Sequence, residues 1–214
     1  MKSPARQPRR YDASGRQEQA RQNRRAVLDA AQRLFVERGY AATGVAEIAA
    51  AAGVSVETVY KAFGNKPGLV KAVFDVLVVG DDDDVPMMQR EFVQRNIAER
   101  DPRRKLQDYG DHLAALAPRV SPILLVVRAA AESDAGASDV WAQLQAERLT
   151  GMTAFATHLR DGGFLRDGVS KNEARDVLWT HNSVELWDLL VRQRGWSNPR
   201  FGRWVSHQLI AALL

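Results

Sequence analysis

The stretch that decides the fold is GVSVETVYKAFGNK, residues 53–66. Ser55 is a favourable helix N-cap, and the valines on either side of it, Val54 and Val59, can form a hydrophobic staple that fixes the angle at which the helix begins. Val59, Ala62 and Phe63 fall on one helical face and are expected to pack inward. The opposite face is left exposed: Val56, Glu57, Tyr60 and Lys61, with Thr58 at its edge.

Two further helices are predicted upstream of this stretch. The first runs from about residue 18 and ends at Gly39, and Val27, Ala31, Leu34 and Phe35 mark its apolar face. Thr43 can cap the second, which ends at Gly53, where glycine allows a tight turn into the next helix. The spacing indicates a helix-turn-helix. A fourth helix is predicted to begin at Lys66-Pro67, with proline in its first turn.

The exposed face of the third helix suits a DNA major groove, which is wide enough to take an α-helix. The hydroxyls of Thr58 and Tyr60 can reach phosphate oxygens, Lys61 can reach phosphate or guanine, and Val56 can touch a thymine methyl. Glu57 is harder to interpret because phosphates repel a carboxylate. It either accepts a hydrogen bond from a cytosine amino group, pairs with a basic residue, or serves the helix N-terminus.

The charge distribution agrees with DNA as a partner for the first third of the chain. Residues 1–66 hold 12 Lys+Arg and 6 Asp+Glu, whereas residues 67–214 hold 18 and 20. Residues 1–17 lack a hydrophobic period and are predicted to form a disordered arm, whose basic side chains can contact phosphate or the minor groove. These are Lys2, Arg6, Arg9, Arg10 and Arg16. A solvated tail without a partner is the alternative.

Composition excludes several other classes of protein. The 214 residues include no cysteine, which excludes disulfides and thiol catalysis and fits the cytoplasm. The longest apolar runs fall far short of the roughly 20 residues of a membrane span, and no apolar stretch follows the basic N-terminus as in a secretory signal. The four histidines are isolated and form no metal-binding pair, and no nucleophile–base pair is visible, so we expect neither a metal, a cofactor nor an enzyme.

The rest of the chain is predicted to be helical as well, giving an all-α fold with two domains, 18–80 and 81–214. The aspartates 81–84 repel one another and are predicted to form a linker. Breaks at Pro118, at 134–136, at 161–168 and at 195–199 delimit the later helices. These are predicted at about 86–98, 102–117, 121–134, 138–161, 171–194 and 198–213.

Residues 43–74, TGVAEIAAAAGVSVETVYKAFGNKPGLVKAVF, together with AVLDAAQRLFVERGY at 26–40, closely resemble the DNA-binding domain of the TetR family of transcriptional regulators. The resemblance implies a phosphate contact at Thr43, a recognition helix at Ser55–Lys61 and a backbone-contacting lysine at Lys66. Ala62 departs from the family, which often has an aromatic residue or histidine there, and Gly64-Asn65 is a milder variation. A homodimeric repressor released from a palindromic operator by a small molecule is implied; a regulator whose C-terminal domain only dimerises or binds a protein is the alternative.

The resemblance also implies that the last two long helices dimerise, and an apolar stripe on the final helix could serve this purpose. The stripe comprises Phe201, Trp204, Val205, Gln208, Leu209, Ala212 and Leu213. A core within one subunit is the alternative explanation. Candidate effector contacts are aromatic residues and a polar pair inside apolar helices: Trp141, Phe155, Trp179, Trp187, His181 and Asn182, with His112 and His158 among the polar candidates. The aromatic residues can equally be core, and the polar pair can instead bond across a dimer interface.

Overall fold

The computed structural model describes residues 13–80 and 85–214, and these residues form helices and connecting turns without any strand. The N-terminal part has four helices: α1 (Ala13–Arg38), α2 (Val45–Ala52), α3 (Val56–Phe63) and α4 (Lys66–Val79). Helix α1 begins five residues before the predicted start at 18, so Arg16 is helical. The rest of the predicted arm, residues 1–12, and the predicted linker at 81–84 lie outside the described residues.

Local capping sets the boundaries of the short helices. Gly53 ends α2 with a φ of 68°, a left-handed conformation that glycine adopts at little cost. Ser55 begins α3 as predicted, because its side chain accepts a hydrogen bond from the Thr58 amide. Helix α4 is capped by Asn65, which accepts from the Gly68 amide. The expected cap at Thr43 is wrong: Gly44 is the N-cap residue of α2.

The C-terminal part begins with a short 3₁₀ turn at Met87–Gln89 and continues with six helices. They are α5 (Glu91–Ala98), α6 (Pro102–Ala131), α7 (Ala135–Asp161), α8 (Lys171–His181), α9 (Val184–Trp187), which continues as a π-helical segment over Asp188–Gln193, and α10 (Asn198–Leu213). Helix α6 is central, since it packs against α4, α7 and α10.

One predicted helix break is absent, and one break that was not predicted is present. Pro118 does not end a helix, and α6 runs through both Pro118 and Pro122. Burial on both sides of the prolines, at Ala117 and Ile123, holds the helix together where the backbone bonds are missing. In contrast, the helix predicted over 171–194 is divided at Asn182, because Ser183 caps a new helix by accepting from the Leu186 amide.

Two hydrophobic clusters make up the interior. The first, here called the N-terminal core, joins α1–α4 to residues of the C-terminal part, among them Ile123 and Val127 of α6 and Val140 and Leu144 of α7. The second, the C-terminal core, lies between α6, α7, α8 and α10. The interior therefore continues across the domain boundary predicted at residue 80.

Helix α6 is the one helix of the described residues that is long and apolar enough to cross a membrane. One such helix is weak evidence for a span, because the core helix of a globular protein has the same length and composition. Its buried residues contact α7 and α10 on the inside of the C-terminal bundle.

Candidate nucleic-acid interface and effector cavity

Helix α3 presents the side chains that the sequence predicted for DNA contact. Val56 is 37% exposed and Tyr60 49% exposed, and Glu57 and Lys61 are exposed as well. Val59, on the other side, is buried in the N-terminal core. The surface formed by Val56, Glu57, Tyr60 and Lys61, here called the α3 face, is a contiguous solvent-facing side of one helix.

Two hydroxyls at the start of α3 are partly engaged with each other. The oxygens of Ser55 and Thr58 lie 2.8 Å apart, and Ser55 Oγ also accepts from the Thr58 amide at 3.1 Å. Each hydroxyl keeps lone pairs for another donor. Ala62 is exposed, although the sequence pattern predicted that it packs inward with Val59 and Phe63. The small side chain adds little to either surface.

Thr43 is fully buried, which corrects its expected role as a phosphate contact. Its hydroxyl donates to the carbonyls of Leu34, at 3.1 Å, and Gly39, at 2.8 Å. Its amide donates to the Tyr40 carbonyl at 3.2 Å. Both donors of Thr43 are therefore satisfied inside the domain, where they tie the end of α1 to the start of α2.

Glu47 was missed by the sequence reasoning and holds the start of α2. One carboxylate oxygen accepts from the Gly44 amide at 2.9 Å, and the other accepts from Arg38 at 3.2 Å. A glutamate three residues after a cap is the signal of a capping box, and it would have pointed to Gly44 rather than Thr43 as the cap. The contact with Arg38 links α1 to α2 at the surface.

Lys66 lies against a ring rather than extending fully into solvent. Its Nζ is 4.2 Å from the centre of the Tyr40 ring, a cation–π distance. Partial burial lowers the pKa of Lys66, and the charge of Asp134 opposes that shift. Burial raises the pKa of Tyr40 to about 12. Since Pro67 has no N–H and the Gly68 amide is bonded to Asn65, the α4 N-terminus offers an anion fewer donors than expected.

Two other charged residues bear on this surface. Arg24 of α1 lies 4.7 Å from the centre of the Phe63 ring, so a guanidinium lies beside the end of α3; the sequence pattern gave no signal for it. Glu57 makes no ion pair with any residue in the described ranges. Among the residues that the structure describes, no basic side chain therefore balances the Glu57 carboxylate.

The C-terminal core contains a small cavity between α6, the junction of α8 with α9, and α10. Its volume is about 40 Å³. The lining combines aliphatic side chains of α6 with three of the predicted effector residues, His181, Asn182 and Trp187. The indole N–H of Trp187 donates to Asn198 at 2.9 Å, which fixes that wall.

The other predicted effector residues lie outside this cavity lining. Trp141 packs against the N-terminal core, and Phe155 contacts Tyr109 edge to face with ring centres 5.2 Å apart. Trp179 lies under Arg148. His112 is stacked on a phenylalanine, and burial lowers its pKa to about 4, so it is neutral near pH 7. His158 is half-buried near Phe164.

The apolar stripe on α10 is used mostly within the chain. Phe201, Val205, Leu209 and Leu213 are buried in the C-terminal core, so the explanation by a core within one subunit accounts for them. Gln208 is exposed and Trp204 half-buried. Leu189, 49% exposed on the π-helical segment, adds an apolar group to the outer surface.

Comparison with known proteins identifies the N-terminal part. Residues 27–73 match the family model described as bacterial regulatory proteins, tetR family. The chain is 45% identical over 53 residues to the HTH-type transcriptional repressor ComR of Escherichia coli, covering 25% of each chain. It is 43% identical over 60 residues to the HTH-type transcriptional regulator TtgR of Pseudomonas putida, covering 28% of this chain and 29% of that protein. The chain matches only about a quarter to a third of the length of its curated relatives.

The whole fold is similar to solved regulators. One is NalD, the secondary repressor of the MexAB-OprM multidrug efflux pump in Pseudomonas aeruginosa, with a TM-score of 0.73 and 22% identity over 92% of this chain and 98% of that one. Another is the regulator FadR from Bacillus subtilis in complex with stearoyl-CoA, with a TM-score of 0.67 and 18% identity over 89% and 99%. At these identities the likeness concerns the fold alone.

Proposed function

We propose that this chain is a transcriptional regulator of the TetR family, whose model matches residues 27–73, and not an enzyme. It is a cytoplasmic homodimeric repressor that binds a palindromic operator and leaves it when a small molecule binds. The α3 face carries this proposal. Four adjacent exposed side chains on one short helix provide an apolar group, a carboxylate, a phenol and an ammonium, which together can contact base edges and phosphates.

The homodimer follows from the geometry of a palindromic site. Two recognition helices must enter successive major grooves about 34 Å apart, and one chain supplies one such helix. The half-buried Trp204 and the exposed Leu189 are apolar groups near the end of the chain that a second subunit can cover. Their burial in a dimer would add to the contacts that the C-terminal core already makes.

Release by a small molecule requires that the molecule bind more tightly to the conformation that does not fit the operator. The connection from the cavity to DNA runs through α6, which lines the cavity at Leu113 and packs into the N-terminal core at Ile123. The structure of FadR with stearoyl-CoA is a case of effector-sized ligand binding on the same fold.

The alternative function is a regulator without an effector, whose C-terminal part only dimerises or binds a protein. The cavity supports this alternative, because about 40 Å³ is far below the roughly 300–1,000 Å³ typical of small-molecule sites. An effector would therefore have to open the interior.

Selection of bound sequences from random double-stranded DNA tests the proposed function. We expect an enriched inverted repeat, and Lys61→Ala to weaken binding to all selected sequences while Glu57→Gln changes base preference within each half-site. Arg103→Ala is the matched control, because Arg103 is an exposed basic residue of α6 and lies outside the α3 face. This variant should bind DNA as the wild type does. Enrichment of a single half-site would contradict the homodimer, and an unchanged preference in Glu57→Gln would exclude base readout by that residue.

A further inference from the structure

Hydrogen-bond donors outnumber good acceptors between α6, α7 and α8. Tyr109 is 6% exposed, and its hydroxyl donates to Met152 Sδ at 3.3 Å. The side-chain amide of Asn182 is directed at the same sulfur, at 3.7 Å. A thioether is a weak acceptor, so within the described residues two donors share one poor partner. Buried donors without good acceptors cost stability, and such groups call for an explanation.

A third and a fourth donor lie beside this pair. Arg148 precedes Met152 by one turn of α7, and its guanidinium stacks over the Trp179 ring at 4.2 Å. It donates to the Trp179 carbonyl at 2.5 Å and to Gln145 Oε1 at 2.7 Å, so it brings a positive charge to the cluster while its own donors are engaged. The indole N–H of Trp179 is buried and has no partner among the described residues. Burial raises the pKa of Tyr109, so the phenol keeps its proton and remains a donor. The cluster thus favours an electron-rich group.

The donor cluster adjoins the cavity. Asn182 belongs to both, and Leu113, which lines the cavity, follows Tyr109 by one turn on the same side of α6. Met152 occupies the position between the Tyr109 and Asn182 donors. Methionine is unbranched and has three rotatable bonds, so its side chain can leave this position at a small cost.

We propose that the donors of Tyr109 and Asn182 receive the acceptor oxygen of an apolar small molecule, a carbonyl or a carboxylate, after the Met152 thioether turns aside. The apolar part of the molecule extends into the cavity toward Trp187, and the cavity enlarges as the Met152 side chain moves. This inference rests on the proposed effector response and gives its chemical class: an apolar compound with one acceptor group.

Binding of three small probes of similar size tests this assignment: ethylbenzene, acetophenone and phenylacetate. Titrations without DNA are carried out on the full chain and on Met152→Ala, which opens the space beside the donors. We expect Met152→Ala to bind acetophenone or phenylacetate about tenfold more tightly than ethylbenzene, since two donors gain a good acceptor. Tyr109→Phe and Asn182→Leu, each combined with Met152→Ala, should reduce that ratio by roughly three- to tenfold, since each removes one hydrogen bond.

The controls separate this proposal from its competitors. Arg103→Ala changes an exposed side chain outside both the α3 face and the donor cluster, and it should leave probe binding unchanged. Preference for phenylacetate identifies a carboxylate supported by Arg148, and preference for acetophenone a neutral carbonyl. Equal binding of all three probes, or binding of none by either protein, overturns the proposal. DNA selection in the absence of probe remains the separate test of the regulator, so probe binding that fails to release DNA refutes the effector response alone.

Discussion

At the scale of single residues, Thr43 shows how a polar side chain near an expected phosphate can serve the fold instead. Its hydroxyl is inside the domain and donates to two carbonyls at the end of α1. The Gly39 carbonyl follows the last residue of α1 and lies outside the helical hydrogen-bond pattern, so a side chain that reaches it stabilises the helix end. Thr43 therefore belongs to the support of the DNA-binding surface.

Replacing Thr43 by valine keeps the shape and removes the hydroxyl, so it tests this role. We expect the free energy of unfolding to fall by about 1–2 kcal/mol, because a buried carbonyl loses its donor. Thr43→Ser, which retains the hydroxyl, should lose less. Urea unfolding of both variants measures the difference. If Thr43→Val had wild-type stability but bound DNA more weakly, that result would support a direct contact of Thr43 with phosphate and contradict a structural role.

Some residues of the candidate site could be predicted from their neighbours in the sequence, and others could not. Ser55 and Val59 were predicted correctly, because a cap and an inward-facing valine depend on a few neighbouring residues. The role of Thr43 was not, because the direction of its side chain depends on the Leu34 carbonyl, a partner elsewhere in the chain. The backbone contact of Lys66 stays a prediction, and its position against the Tyr40 ring could not be read from spacing either. The spacing of residues along a helix predicts which of them share a face, but it does not predict which distant groups their side chains contact.

At the scale of elements, α6 and α10 cross at two glycines. A Cβ added at Gly110 would lie 2.5 Å from the carbonyl oxygen of Gly202 and 2.8 Å from the Cβ of Ser206. No real Cβ approaches backbone so closely, so the helices would have to separate. The close crossing of these backbones brings the walls of the C-terminal core together.

Gly110→Ala should therefore destabilise the protein by about 1–3 kcal/mol, as expected for overpacking a tight interior. Gly151→Ala is the matched control within helix α7, since a Cβ there would meet nothing within 4 Å. That change should stabilise the protein by about 0.5–1 kcal/mol, because alanine loses less backbone entropy than glycine. Thermal or urea unfolding compares the two, and equal effects of the same sign would contradict a close crossing.

The existence of the helices was predictable from periodicity. The sequence did not reveal that the helix continues through Pro118 or that another helix ends at Asn182. Pro118 is a standard stop signal, but burial of Ala117 and Ile123 on either side outweighs it. Asn182-Ser183 carries no such strong signal, and only the cap at Ser183 reveals the break in the structure. Tertiary packing therefore determines that the helix continues at Pro118, and one side-chain hydrogen bond determines that a new helix begins after Ser183.

At the scale of the whole molecule, the N-terminal core couples the DNA-binding helices to the rest of the chain. Lys71 of α4 pairs with Glu147 of α7 at 3.2 Å, and Arg119 of α6 donates to the Leu77 carbonyl near the end of α4 at 2.6 Å. The half-buried ion pair adds little stability, but it aligns α4 with α7. Through these contacts α4 follows the positions of α6 and α7.

Two buried side chains in different cores test this organisation. Ile123→Ala removes a fully buried side chain from the N-terminal core, and Leu178→Ala does so in the C-terminal core. Each should cost about 2–5 kcal/mol. Amide hydrogen exchange under native conditions should show lost protection mainly in α1 and α4 for Ile123→Ala, and mainly in α8 and α10 for Leu178→Ala. Although Ile123 lies beyond the predicted domain boundary, truncating its side chain should thus loosen the DNA-binding helices. If the Ile123→Ala protein lost protection only in α6 and α7, the two parts of the chain would be stabilised independently.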